Sequence, residues 1–73
     1  MTPERCRAAR AWLNWSQDAL AKAASVGTST VRDFEARRRV PTRNNLAAMK
    51  AVLEGGGIAF VDDDKRLGVV VTR

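Results

Sequence analysis

Residues 16–35 have the sequence SQDALAKAASVGTSTVRDFE, which predicts two short helices joined by a tight turn. Ser16 is a favoured N-cap residue, so the first of these helices should begin directly after it. The helical spacing of apolar residues ends at Ser25, so Val26 is expected to fill the space between the helices and Gly27 to cap the second. The inner stripe of the first helix is expected to comprise Leu20, Ala23 and Ala24.

The second helix of this unit should present a polar face to solvent. Val31 and Phe34 lie three residues apart and are expected to face the core. The residues then left on the outer side of the helix are Thr28, Ser29, Arg32 and Asp33. Polar side chains at the start of an exposed helix can reach base edges in a DNA major groove. We therefore interpret this unit as a DNA-reading element.

A family pattern runs through the same residues. The order Ser-Gln-x-x-Leu-Ala, Val-x-x-Ser-Thr-Val, Phe-Glu and then an Arg-rich stretch with a Pro resembles the phage repressor and Cro family. These proteins are also called XRE-like helix-turn-helix regulators. The resemblance implies a mainly α fold, in which a four-helix DNA-binding domain occupies residues 1–54. It also implies double-stranded DNA as the partner.

The resemblance assigns roles to individual residues. In the family, a Gln at the start of the second helix touches phosphate and braces the recognition helix, and Gln17 occupies that position. Arg10 and Glu35 match a buried ion pair between the first and third helices. Gly27 departs from the family, which often carries Ser or Thr there, and Ser25 stands where the family favours Gly, so a slightly strained turn is expected. The implied base-contacting residues are Thr28, Ser29, Arg32 and Asp33.

Charge is concentrated in the helical part of the chain. The net charge is +5, with ten Lys and Arg against five Asp and Glu in residues 1–54 and three of each in residues 55–73. Composition alone leaves DNA, RNA and an anionic membrane as candidate partners, and the helix-turn-helix pattern favours DNA. The 73 residues form one small domain, for which dimerisation would add stability.

An arginine run follows the predicted recognition helix. Family members contact phosphates in this region, and the start of the next helix adds further hydrogen-bond donors. The alternative is a solubilising loop. Together with Gln17, the expected contacts to the DNA backbone are Arg37, Arg38, Arg39, Arg43 and Asn44.

Helices are also expected on either side of this unit. Thr2 and Pro3 form a helix start, which predicts a first helix to Leu13 that ends at Asn14. A fourth helix should begin at residues 41–42 and end at the glycines 55–57. Its expected core positions are Leu46, Met49, Val52 and Leu53.

The two tryptophans lie near the end of the first helix. Trp15 is expected to act as a core anchor or hydrophobic staple. Core packing is also expected for Trp12, whereas an exposed Trp12 would indicate a partner surface.

A β-hairpin is predicted after the glycines. Residues 58–61 and 67–71 are short apolar runs rich in β-branched residues, and the charged residues 62–66 should form the loop between them. Because an isolated hairpin is marginally stable, its apolar residues must be covered by the helices or by a second chain. We expect it to mediate dimerisation, with a hairpin folded back on its own domain as the alternative. The expected dimer contacts are Ile58, Phe60, Val69 and Val71.

The sequence gives little support for a disulfide, a metal site or enzymatic activity. Cys6 is the one cysteine, so no internal disulfide can form, and its helical spacing to Ala9 and Leu13 indicates a core residue. The chain has no His. The carboxylates of Asp62, Asp63 and Asp64 could bind a divalent cation, but three consecutive residues do not converge on one point, which favours a solvated turn. We expect no metal, no cofactor and no enzymatic activity.

These patterns combine into one functional hypothesis. We expect a sequence-specific transcriptional regulator, a repressor or autoregulator, that binds a palindromic operator as a homodimer. The alternative is an antitoxin or antiactivator that acts mainly through protein-protein contacts. Because no signal peptide or membrane-spanning run is evident, a cytoplasmic location is expected.

Overall fold

Four helices precede a two-stranded antiparallel hairpin in the computed structural model of the chain. The structure describes residues 1–63 and 66–71, and the side chains of residues 1–60. This mainly α architecture is the one predicted from the sequence. The elements are α1 (Pro3–Leu13), α2 (Gln17–Ala24), α3 (Thr28–Glu35), α4 (Arg43–Gly55), β1 (Ile58–Asp63) and β2 (Arg66–Val71).

Local signals set the ends of the outer helices. The Thr2 hydroxyl accepts a hydrogen bond from the Arg5 amide at 3.2 Å, and Pro3 occupies the first turn of α1. Asn14 ends α1 in the left-handed conformation, with a φ of 57°. The Thr42 hydroxyl caps α4 by accepting from the Asn45 amide at 3.1 Å. The predicted bounds of α1 are therefore confirmed, and α4 begins one residue after its cap.

A single cluster of buried side chains joins the helices. Met49 and Leu53 of α4 are fully buried, and Leu46 and Val52 pack against the cluster while remaining partly exposed. Cys6 is also fully buried, as predicted. The other buried apolar side chains are Ala9, Leu20, Ala21, Ala24, Val31, Phe34 and Ile58.

Two predicted core positions are wrong. Ala23 is exposed, and Ala21 is buried in its place. Because α2 packs against both α3 and α4, its buried face widens to include the residue next to Leu20. Trp12 is 59% exposed, because the inner side of α1 is already occupied by the smaller Cys6 and Ala9. Trp15 packs against the core as predicted.

The glycines after α4 allow the chain to turn closely against α1. A Cβ at Gly56 would lie 2.9 Å from Leu13 Cδ1, so a larger residue would displace the leucine. Gly57 has a φ of 99°, which an L side chain rarely adopts. This turn places Ile58 in the common core, where it is only 2% exposed.

The hairpin strands are longer than predicted. Their register runs from Ile58 opposite Val71 to Asp63 opposite Arg66. Asp62, Asp63 and Arg66 are therefore strand residues rather than loop residues. A strand ladder is made by main-chain groups, so charge alone did not mark where the strands end. Asp64 lies outside the described residues.

The hairpin folds back on its own domain, with β1 beside α4 and β2 beside α1. The prediction that Ile58 is a dimer contact must therefore be corrected, because this side chain is buried within its own chain. Phe60 is partly buried against the same core. The side chains of Val69 and Val71 lie outside those that the structure describes.

Candidate nucleic-acid interface

A tight turn sets the angle between α2 and α3. The Ser16 hydroxyl caps α2 by accepting from the Ala19 amide at 3.0 Å. Ser25 ends α2 with a φ of 57°, and the Val26 amide then donates to the Ala21 carbonyl at 2.9 Å. The left-handed conformation costs a residue with a Cβ about 1 kcal/mol, which places the expected strain at Ser25. Gly27 is the N-cap of α3 and supplies no side-chain bond.

The buried side of α3 holds its outer side toward solvent. Val31 and Phe34 lie in the core, and Val26 packs at its edge. Ser29 and Arg32 are exposed, whereas Thr28 and Asp33 are partly exposed. The Arg32 side chain is 57% exposed, and its Nε lies 3.9 Å from Asp33 Oδ1, a loose ion pair. The four predicted base-contacting residues therefore share the outer side of α3.

Thr28 is held by Asp18, a contact that the sequence does not predict. Its hydroxyl donates to Asp18 Oδ1 at 2.8 Å, and Asp18 Oδ2 lies 3.3 Å from Lys22 Nζ. The bond from Thr28, followed by the bond and charge of Lys22, lowers the pKa of the Asp18 carboxyl. In the sequence, Asp18 has only the character of an acid in the first turn of a helix, where it suits the helix dipole. The separation of ten residues between Asp18 and Thr28 is not a spacing that signals this contact.

Gln17 contacts the recognition helix directly. Its Nε2 donates to Glu35 Oε1 at 3.1 Å, so one amide hydrogen is used within the protein. A side-chain amide has two N–H donors, and the second remains for a phosphate. The geometry thus provides the brace on α3, and the phosphate contact stays a prediction.

Glu35 lies at the centre of a polar network behind α3. Arg10 donates through Nε to Oε2 at 2.8 Å and through Nη2 to Oε1 at 2.7 Å, and the Cys6 thiol donates to Oε2 at 3.2 Å. The Glu35 side chain is 3% exposed and that of Arg10 is 20% exposed. Arg7 adds a bond to the Glu35 carbonyl. This network fixes the last residue of α3 to α1.

Burial and hydrogen bonding have opposite effects on the pKa of Glu35 but the same effect on the pKa of Cys6. Burial tends to raise the pKa of Glu35, but the bonds from Arg10, Gln17 and Cys6 leave it below its usual value. Burial and the neighbouring Glu35 raise the pKa of the Cys6 thiol to about 12. Glu35 is therefore ionised at neutral pH, whereas Cys6 remains a neutral donor.

All three residues of the arginine run, Arg37, Arg38 and Arg39, are exposed, and Arg37 differs from the other two in being ion-paired. Arg37, with a φ of 60°, is ion-paired with Glu4 of α1. Arg38 and Arg39 have exposed side chains, and neither has an ion-pair partner among the described residues. Arg43 and Asn44 are likewise exposed, in the first turn of α4.

A helix-turn-helix family model matches residues 7–55, which include the whole α2-turn-α3 unit and all of α4. The chain belongs to the helix-turn-helix family. A comparison with curated proteins finds no match for the chain.

Family membership confirms the resemblance to XRE-like regulators and makes this helix-turn-helix protein a DNA-binding regulator of transcription. Within the described part of the chain, no helix has the length and apolar character required to cross a membrane. No potential metal-binding group of three or more Cys, Asp or Glu side chains forms among the described residues.

Proposed function

We propose that the chain is a sequence-specific repressor or autoregulator that binds a palindromic operator as a homodimer. The observation that carries this proposal is the division of α3 into two sides. Val31 and Phe34 anchor the helix in the core, while Ser29 and Arg32 are exposed at its surface. A helix held in this way can enter the major groove without rearranging the core.

The residues on the outer side of α3 have complementary base preferences. An arginine can donate two hydrogen bonds to guanine, an aspartate can accept from the cytosine amino group, and serine can do either. The contact between Arg32 and Asp33 is loose enough, at 3.9 Å, for each to turn toward a base. We propose that Thr28, Ser29, Arg32 and Asp33 supply the base contacts.

Contacts to the DNA backbone would set the position of the recognition helix. Arg38 and Arg39 are exposed donors in the loop between α3 and α4, and Arg43 is an exposed donor in the first turn of α4. We propose that they bind phosphates, together with Asn44 and the second amide hydrogen of Gln17. Arg37 belongs to the same set, although it would first have to leave Glu4.

Repression would follow from occupancy of the operator. In a symmetric dimer, two α3 helices would enter successive major grooves about 34 Å apart, and the bound protein would block or contact polymerase. The two-stranded hairpin supports the proposed dimer, because each strand of a two-stranded sheet has one edge that the other strand does not cover.

A second candidate function rests on Trp12. A large aromatic side chain that is 59% exposed on α1 is a typical anchor for a protein partner. In this case the chain would act as an antitoxin or antiactivator, and DNA binding would be secondary.

Selection of bound fragments from random DNA tests the main proposal. The expected result is an enriched palindrome, bound by two chains in sedimentation. On that site, Ser29→Ala or Arg32→Ala should cost about 1 to 3 kcal/mol and relax the preference at particular base pairs. An equal loss on selected and random DNA would contradict the base-reading role of α3. Ala23→Ser, at an exposed position of α2, is a control expected to leave binding unchanged.

A further inference from the structure

The hydrogen bond between Thr28 and Asp18 has a defined direction. Thr28 Oγ1 lies 2.8 Å from Asp18 Oδ1, and one of these two groups must supply the hydrogen. The other Asp18 oxygen lies 3.3 Å from the Lys22 ammonium group, so both oxygens have donors as partners. An ionised carboxylate can only accept. The hydrogen therefore comes from the Thr28 hydroxyl.

This direction determines what Thr28 can offer to DNA. A threonine hydroxyl has one hydrogen and two lone pairs, and the hydrogen is committed to Asp18. Thr28 is the first residue of α3 and is partly exposed, so its remaining capacity is that of an acceptor. In the major groove, the donors are the amino groups of cytosine and adenine, whereas guanine O6 and N7 and thymine O4 are acceptors.

We propose that Asp18 is a positioning residue that holds the Thr28 hydroxyl as an acceptor, so that the start of α3 selects a cytosine or adenine amino group. The inference rests on the DNA-binding function proposed above. It names the class of base, cytosine or adenine, that the protein selects at one position of the DNA. Lys22 completes the arrangement, because its charge offsets that of Asp18 close to the DNA.

The test is a selection from random DNA with the full-length protein and three variants. Thr28→Val keeps the side-chain shape but removes the acceptor. The base position at which this variant loses its preference is therefore the position that Thr28 reads. The unmodified protein should enrich cytosine or adenine there. Asp18→Ala frees the hydroxyl to donate as well as accept, and should reduce this preference by about fivefold, the value of one net hydrogen bond.

Lys22→Gln is the matched control. It changes the charge of the same exposed cluster but leaves the bond between Asp18 and Thr28 in place. We expect it to weaken binding to all sequences while the base preference at the Thr28 position stays the same. The quantity compared is the ratio of affinities for DNA with cytosine or adenine and DNA with guanine or thymine, measured at one salt concentration.

The outcomes separate this inference from the function on which it rests. Enrichment of guanine or thymine at the Thr28 position, an unchanged preference in Asp18→Ala, or no position affected by Thr28→Val would each overturn the inference. In those cases an enriched operator would still support the proposed function. If no sequence is enriched by the unmodified protein, the proposed function itself fails.

Discussion

Arg10 of α1 binds both carboxylate oxygens of Glu35, the last residue of α3, at 2.8 and 2.7 Å. The same guanidinium donates to the Trp15 carbonyl at 2.9 Å, in the segment that leads into α2. One side chain thus connects α1, the segment before α2 and the end of α3. The orientation of α3 therefore depends on the ion pair between Arg10 and Glu35, on the side of the helix that faces the protein.

Loss of this ion pair should destabilise the fold. Glu35→Gln would leave Arg10 without its anionic partner, and breaking a buried pair costs about 3 to 5 kcal/mol. Because the Arg10 side chain is 20% exposed, we expect the lower end of this range in urea denaturation. Glu4→Gln is the control, since the pair of Glu4 with Arg37 is exposed and such pairs contribute about 0 to 1 kcal/mol. Similar losses in the two variants would contradict the importance of the network.

Acid should remove the contribution of Glu35. Its pKa lies below its usual value of 4.5 in the folded protein, so the folded state favours the ionised form. This stabilisation is present above the unfolded pKa and is lost as the pH falls through the lower, folded pKa. The difference in melting temperature between the unmodified protein and Glu35→Gln should therefore shrink below pH 4.5. A difference that stays constant with pH would show that ionisation of Glu35 does not stabilise the fold.

Alkaline pH should act on Cys6. Folding raises the pKa of this thiol from 9.0 to about 12, so the folded state favours the neutral form. The corresponding stabilisation is complete below the unfolded pKa and is lost as the pH rises toward the folded value. We expect the free energy of unfolding to decrease above pH 9, and to decrease less in Cys6→Ala, which keeps a small apolar residue. Identical pH dependence in both proteins would argue against a protected thiol.

The exposed arginines should determine the salt dependence of DNA binding. Each phosphate contact contributes about −0.9 to the slope of log affinity against log salt concentration. Arg38→Gln should make this slope less steep by about one contact per chain. Arg37→Gln should change it less, because Glu4 already neutralises Arg37. Affinities measured between about 50 and 200 mM salt give both slopes, and an unchanged slope in Arg38→Gln would identify the run as a solvated loop.

The hairpin should hold the proposed dimer together. Val70→Asp places a charge in β2 at a position that pairs with Ala59 rather than with Ile58 or Phe60, which pack in or against the core. We expect it to yield a monomer in sedimentation that has lost most of its operator affinity, because two linked half-site contacts bind far more tightly than one. Trp12→Ala tests the rival surface on α1. If Trp12→Ala alone dissociates the dimer, the contact lies on α1 and not on the hairpin. Ile58→Ala is unsuited to this test, since it opens a cavity in the protomer core and should cost about 2 to 5 kcal/mol.

The sequence by itself determined the local structure. Thr2, Ser16 and Thr42 each cap a helix because a hydroxyl at an N-cap needs only the amide three residues ahead. The spacing of Val31 and Phe34 likewise assigned the inner and outer sides of α3. These features depend on residues within about one helical turn, so they could be predicted without knowing how the helices pack.

Only the tertiary structure decided how distant residues meet. The burial of Ile58 and the exposure of Trp12 depend on how the hairpin and helices share one small core. The contacts of Asp18 with Thr28 and of Gln17 with Glu35 depend on the angle between α2 and α3. A side chain can bond only to groups within about 3 Å, and helix packing rather than sequence spacing sets those distances.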